Sequence, residues 1–275
     1  MRRLSVLFSL MAALVVTGCS SQSEEVNVYS ARKEALIKPL LDRFTSETGI
    51  TVNLITGSAD ALVERMKAEG EHSPADVLIT TDAGRLYRAQ QEGQLATTES
   101  DTLAEQVPEA LRDPEGHWYG LSVRARVVVY APDRVDPSEL STYEALADEK
   151  WDDRICIRSS DNIYNQSLTA SLIAHNGEAD TEQWAEGLVS NMARDPVGGD
   201  RDQIKALAAG ECDIAVVNTY YLGMMQGGDN ADAREIAEQV AVFWPNQDGR
   251  GAHINISGAG VATNAPNPDN ARQLI

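Results

Sequence analysis

An α/β fold with mostly parallel strands follows from three observations on the 275-residue sequence. Short apolar runs alternate with segments of helical periodicity. Capping residues stand at the junctions where a run ends and a helical segment begins. Glycines close several of the helical segments.

The elements follow in order. Residues 26–29 (V-N-V-Y) read as a strand. Ser30 is placed to cap the next helix, in which Ile37, Leu40, Leu41 and Phe44 share one face. Pro39 inside it predicts a kink or a late start. Gly49 ends that unit, and 50–55 is the second strand. A helix over 59–69 closes at Gly70, a strand spans 75–80, and Asp82 caps a helix to Gln91, so that capping alone accounts for Asp82. Residues 121–130 form a strand long enough to leave one lobe and enter another. A second series then begins: a strand at 154–158, cap residues at 159–162, a helix from about Tyr164 to His175, a helix from 200 that ends at Gly210, and a strand at 211–217. Residues 254–262 read as a strand that returns to the first lobe. The last residues, 271–275, lie in a helix with no stop signal, so the sequence reads as cut short at its C-terminus.

Composition bounds the function. Residues 1–18 carry a basic start and an apolar run over 4–16, too short to span a bilayer and of signal-peptide type. The V-T-G-C at 16–19 is a lipoprotein pattern, with Cys19 as the lipidated residue and 19–25 a tether; an ordinary secretory signal with a chance cysteine is the alternative. The chain is therefore expected in the cell envelope, periplasmic or extracytoplasmic, held to the membrane by its N-terminal lipid. A net charge of −19 argues against nucleic acid and for a solvated surface. Cys156 and Cys212 can pair if their strands are neighbours, and are otherwise two buried thiols. The four histidines, 72, 117, 175 and 253, have no metal-ligand spacing. No G-x-S-x-G, H-E-x-x-H or nucleotide-binding glycine motif occurs, which leaves an enzyme without a visible nucleophile and base.

The chemistry concentrates in N-T-Y-Y-L-G at 218–223. If Asn218 or Thr219 is the cap, Tyr220 and Tyr221 both stand in a first helical turn, beyond the carboxyl end of a strand, where open α/β sheets bind ligands. Tyr164 follows another strand in the same way, and Arg32 follows the first. Three converging phenols suit a hard trivalent cation, because phenolate is an anionic oxygen donor and a bound metal holds the deprotonated form. Arg32 and the helix N-termini suit a small anion. Packing residues with surface hydroxyls remain the alternative.

The sequence also resembles the ferric-iron-binding proteins, the extracytoplasmic solute receptors of iron ABC transporters. The resemblance covers nearly all of the chain beyond its leader. It rests on V-Y-S-A-R at 28–32, S-P-A-D-V-L at 73–78, W-Y-G-L-S-V-R-A-R-V at 118–127, R-S-S-D-N-I-Y-N-Q-S at 158–167, G-G-D-R-D-Q at 198–203, N-T-Y-Y-L-G and H-I-N-I-S-G at 253–258. It implies a two-lobed periplasmic-binding-protein-like fold of type II with two crossover strands: lobe 1 over 26–125, lobe 2 over 126–243, and a return to lobe 1 over 244–275. It implies Tyr164, Tyr220 and Tyr221 as ligands of Fe3+, and Arg32 and Arg124, assisted by Ser159 and Asn162, around a synergistic anion such as carbonate. Arg124 is preferred to Arg126, which points to the opposite strand face. The family's first-lobe histidine or extra tyrosine is missing, since A-R-K-E stands at 31–34. Glu34 is a carboxylate that could replace it, whereas Tyr29 reads as structural. The implied protein is a monomer that closes on iron and docks on a permease driven by an ATPase. Rival readings are a receptor for another solute (an anion, a different metal, or a polyamine held by Trp118 and Tyr119), an enzyme, and a structural envelope lipoprotein.

Overall fold

The structure, a computed structural model, describes residues 24–275. The expected signal segment and lipidation residue, Cys19, lie outside the described residues. No described helix is long and apolar enough to cross a membrane.

In chain order the first part comprises β1 (Glu25–Ser30), α1 (Glu34–Thr48), β2 (Thr51–Thr56), α2 (Ala59–Glu69), β3 (Val77–Thr81), α3 (Ala83–Gln91) and α4 (Asp101–Gln106). The long strand β4 (Tyr119–Tyr130) follows. The second part has β5 (Ile155–Cys156), α5 (Ile163–Asn176), α6 (Glu178–Ser190), α7 (Asp200–Ala208), β6 (Ile214–Asn218), α8 (Thr219–Gly227), α9 (Ala231–Glu238) and β7 (Ala241–Phe243). The chain ends with β8 (Ile254–Val261) and α10 (Pro268–Leu274).

Among the described residues the strands form one sheet in the order β2-β1-β3-β8-β4-β6-β5, with β7 beside β4. The expectation of mostly parallel strands needs correction. β1 runs parallel to β2 and β3, and β5 to β6, but every pairing of β4 and β8 is antiparallel. These two strands carry the chain out and back between lobes, so they oppose each other and their neighbours. The exchange is sharp. β4 pairs with β8 up to Ala125 and with β6 from Arg126 onward.

Each lobe has its own apolar filling. Val26, Val28, Val77, Ile79, Ala259 and Val261 pack on one side of the first-lobe sheet, and Tyr29, Leu62, Val63, Met66 and Leu78 pack with α2. In the second lobe Val127, Val129, Ala215 and Val217 face α7 and α8, while Val128, Ile155, Ile214 and Val216 face α5 and α6. Alternate residues of β4 serve opposite layers, as a strand's period of two requires.

Several local expectations change. Ser30 ends β1 rather than capping α1, and its hydroxyl accepts the N–H of Arg32 at 3.1 Å. Lys33 takes the cap position, and Pro39 lies inside α1 without ending it, its missing donor falling on an exposed face. Leu40 does not join Ile37, Leu41 and Phe44 but is 63% exposed. Cys156 and Cys212 form a disulfide, since β5 lies parallel to β6 and brings them together.

The crossover itself is tied by one hydroxyl. Arg126 N–H donates to the His253 carbonyl at 2.9 Å. Tyr143, buried, donates its hydroxyl to the Arg126 carbonyl and accepts His253 N–H at 3.0 Å. Tyr143 therefore joins the outgoing and returning chains at the point where both change lobes.

A tyrosine-lined cleft between the lobes

The phenols predicted from sequence converge. Asn162 caps α5, its side-chain oxygen accepting the Tyr164 N–H at 3.0 Å, so Tyr164 falls in the first turn. Tyr220 and Tyr221 occupy the first turn of α8. The Tyr164 and Tyr220 hydroxyls are 3.2 Å apart, and the Tyr220 and Tyr221 rings stack with centroids 4.2 Å apart. Of the two expected caps, Asn218 takes the place. It makes no side-chain capping bond, and Thr219 Oγ1 accepts the Ala125 N–H at 3.4 Å.

These rings line a cleft of about 420 Å3. Its first-lobe wall is made by Arg32, Lys33, Thr81, Ser122 and Ser257, and its rim by Leu36, Val123 and Met224. Arg32 lies where expected, and its Nη1 donates to Ser257 Oγ at 2.5 Å. Arg124 also lines the cleft, with its guanidinium 5.0 Å above the Tyr164 ring. Its nitrogens are already engaged: Nη2 with Asp82 at 2.7 Å and Nη1 with the Ile256 carbonyl at 2.5 Å. Asp82 is thus more than a cap. It accepts the Gly84 N–H and also holds Arg124 in a buried ion pair. Arg126 points away, into the second lobe, where it pairs with Asp200.

Ser159 and Asn162 are not among the lining residues. Ser159 bonds within its own loop, to Asp161, and Asn162 is occupied as the cap. Glu34 does not line the cleft either; it sits in the exposed first turn of α1. Tyr29 is buried and donates to Glu69 at 3.0 Å, the structural role expected of it. Trp118 and Tyr119 do not serve a polyamine site: Trp118 donates to Gln90 and Tyr119 to the Thr98 carbonyl, and no carboxylate lines the cleft. Among the described residues no group of three His, Cys, Asp or Glu side chains is gathered for a metal. The hard donors on offer are phenols.

Electrostatics favour protonated phenols until a cation arrives. Burial pushes the Tyr220 hydroxyl well above its ordinary value, and the Tyr164 and Tyr221 hydroxyls beside it push further in the same direction. Burial likewise raises Tyr221. Three guanidiniums surround the trio. Besides Arg124, Arg158 lies 5.6 Å from the Tyr164 ring centroid and Arg201 6.0 Å from that of Tyr221. Arg158 and Arg201 escaped the sequence reading. Their motifs, R-S-S-D-N and G-G-D-R-D-Q, were visible, but spacing alone does not show that Arg158 turns back over Tyr164 or that Arg201 reaches Tyr221 on another segment.

Comparison with known proteins gives the same direction. Residues 72–275 match the family described as bacterial extracellular solute-binding protein. "Iron uptake protein A1" of Synechocystis is 51% identical over 254 residues, 92% of this chain and 71% of the relative. The Trichodesmium protein IdiA (FutA), solved in complex with iron and citrate ligands, is 52% identical with a TM-score of 0.87, covering 91% of this chain and 79% of that one. The ferric binding protein from Campylobacter jejuni is 38% identical with a TM-score of 0.86, covering 90% and 79%. These relatives are uptake and binding proteins, not enzymes. On its matched length and on these identities, the chain belongs to the bacterial extracellular solute-binding proteins, among relatives named for iron uptake and ferric binding.

Proposed function

We propose that the chain is an extracytoplasmic receptor for ferric iron. It captures Fe3+ as cargo with Tyr164, Tyr220 and Tyr221 as phenolate ligands, together with a synergistic oxyanion, and delivers it to an ABC permease driven by an ATPase. One observation carries the reading: three phenols meet on one wall of a cleft whose opposite wall offers Arg32, Lys33 and hydroxyls but no carboxylate.

The charge arithmetic agrees. Three phenolates offset the three charges of the ion. The coordination positions they leave need oxygen donors, and the first-lobe wall has cations in place of acidic ligands. A small anion held by Arg32, near Arg124, would fill those positions and bridge the lobes. Carbonate has the right size and charge. Citrate, named with the Trichodesmium relative, is the larger candidate. Closure follows from differential contact, since iron and anion touch both walls at once only when the lobes approach. The hinge lies where β4 exchanges β8 for β6, which supports lobe boundaries near 125/126 and a return near 244. Cys19 as lipid anchor and a monomeric receptor complete the proposal.

Titration of the mature chain with ferric citrate, followed in the visible, tests it. A phenolate-to-iron charge-transfer band is expected, weakened in both Tyr220→Phe and Tyr221→Phe. A folded protein with no band overturns the ferric reading. A cationic cleft would then point to an anion receptor, to be tested by calorimetry with carbonate, phosphate and citrate alone.

A further inference from the structure

Asp200, the first residue of α7, is fully buried and is gripped from three directions. Its Oδ2 accepts Arg126 Nη1 at 2.7 Å and the Asn218 N–H at 2.8 Å. Its Oδ1 accepts Arg158 Nη1 at 3.2 Å. Every partner leads to a phenol. Asn218 occupies the cap position of α8, which opens with Thr219 and then Tyr220 and Tyr221. Arg158 lays its guanidinium toward the Tyr164 ring, and its carbonyl accepts Asn165 Nδ2 at 2.7 Å, next in sequence to Tyr164. Arg126 closes the circuit by donating to Asn165 Oδ1 at 2.5 Å. The same Arg126 is the first residue of β4 to pair with β6, and its backbone carries the Tyr143 and His253 bonds.

We propose that Asp200 is a positioning residue for iron capture: one buried carboxylate sets the spacing of Tyr164 from Tyr220 and Tyr221 and, through Arg126, ties that spacing to the crossover. This rests on the ferric reading above. A buried ion pair is a poor device for stability, because well-packed apolar residues of the same volume serve as well or better. Its directional bonds do what apolar packing does not. They hold a strand (β4), the loop before α5 and the start of α8 in one geometry. Outer-shell groups of this kind orient first-shell ligands, and their loss weakens metal binding by about 10- to 100-fold.

The test removes the Arg126–Asp200 pair and leaves Arg158, whose side chain is 18% exposed, as the one cation of the cluster. The double variant Arg126→Met/Asp200→Asn keeps an acceptor for Asn218 N–H and drops both charges together. Ferric citrate titration is run beside wild type, with circular dichroism to establish folding. The expected result is a folded protein whose iron affinity falls by about tenfold or more and whose charge-transfer band shifts or weakens. Wild-type affinity and an unmoved band in the folded double variant would overturn the proposal, even if its melting point fell. If the double variant fails to fold, Arg158→Met decides, since the Arg158 side chain is 18% exposed and its loss leaves no stranded charge in the core. A weaker affinity with a moved band supports positioning, and no change in either refutes it. Absence of a band in wild type itself would instead sink the ferric reading, and this proposal with it.

Discussion

A buried phenol binds metal only by giving up its proton, and Tyr220 and Tyr221 are both held in the protonated form by burial. If these phenols ligate iron, its capture releases protons, and affinity should fall as pH falls, by up to about tenfold per unit for each proton released. Ferric titrations at pH 8, 7 and 6, with the anion fixed, check the slope. His253 makes a separate prediction, for stability. Burial lowers its imidazole from 6.5 to about 4. Above pH 6.5 it is neutral folded or unfolded. Between 6.5 and 4 the unfolded chain binds a proton that the folded chain refuses, so stability declines by up to about 3 kcal/mol across that window. Glu144 extends the loss downward. Burial would raise its carboxyl, but bonds from Asn246, Asn176 and Arg250 outweigh it and hold it at about 2 rather than 4.5, so its contribution fades as pH falls through that range. Melting points at pH 7, 5.5 and 4 should decline, and His253→Gln should flatten the upper part. At this scale the tyrosines and Arg32 were legible because residue type and position after a strand reveal them. The hold of Asp82 on Arg124 was not, because capping already accounted for that aspartate and the two residues are 42 positions apart.

At the scale of elements, most strands and helices were readable from periodicity and caps, and α2 with its Gly70 end matched its expected bounds. What failed was direction. Apolar alternation marks a strand but says nothing about which way its neighbour runs, so the antiparallel role of β4 and β8 was hidden. The same strands impose a steric condition. A Cβ on Gly258 would lie 2.5 Å from the Tyr119 carbonyl oxygen and 2.8 Å from Leu86 Cδ1. Gly258→Ala should cost about 1–3 kcal/mol through strain between β8 and β4, read as a lower urea midpoint. The Cys156–Cys212 disulfide spans 56 residues and fastens the short strand β5 to the start of β6. Its reduction, or Cys156→Ser with Cys212→Ser, should lower stability by about 2–4 kcal/mol, seen in urea unfolding with and without reductant.

Across the whole molecule, two lobes were inferable from a strand too long for one of them and from the resemblance. The coupling between lobes was not, because it depends on single buried atoms, such as the Tyr143 hydroxyl, that no pattern in the chain announces. If iron and anion draw the walls together, small-angle scattering should show a smaller radius of gyration with ferric citrate than without. The melting point should rise with free ligand, by about 2.7 kcal/mol of stabilisation at a hundredfold excess over Kd. Tyr143→Phe, which removes the hydroxyl bridging Arg126 and His253, should lower the melting point and loosen the unliganded state in the same scattering experiment. Unchanged values in that variant would show that the bridge does not restrain the hinge.

The placement of β8 has a consequence for how the chain acquires its shape. β8 lies between β3 and β4, and it is made of residues 254–261, whereas β3 ends at Thr81. The lobe whose first strand begins at residue 25 therefore lacks an interior strand until residues 126–243 have been made. Residues 126–243, by contrast, form a contiguous stretch with its own apolar filling and its own disulfide. Synthesis runs from the N-terminus, but consolidation should run the other way: the second lobe first, with the N-terminal strands waiting exposed for a partner that follows it. Until then they are the segment a chaperone must guard.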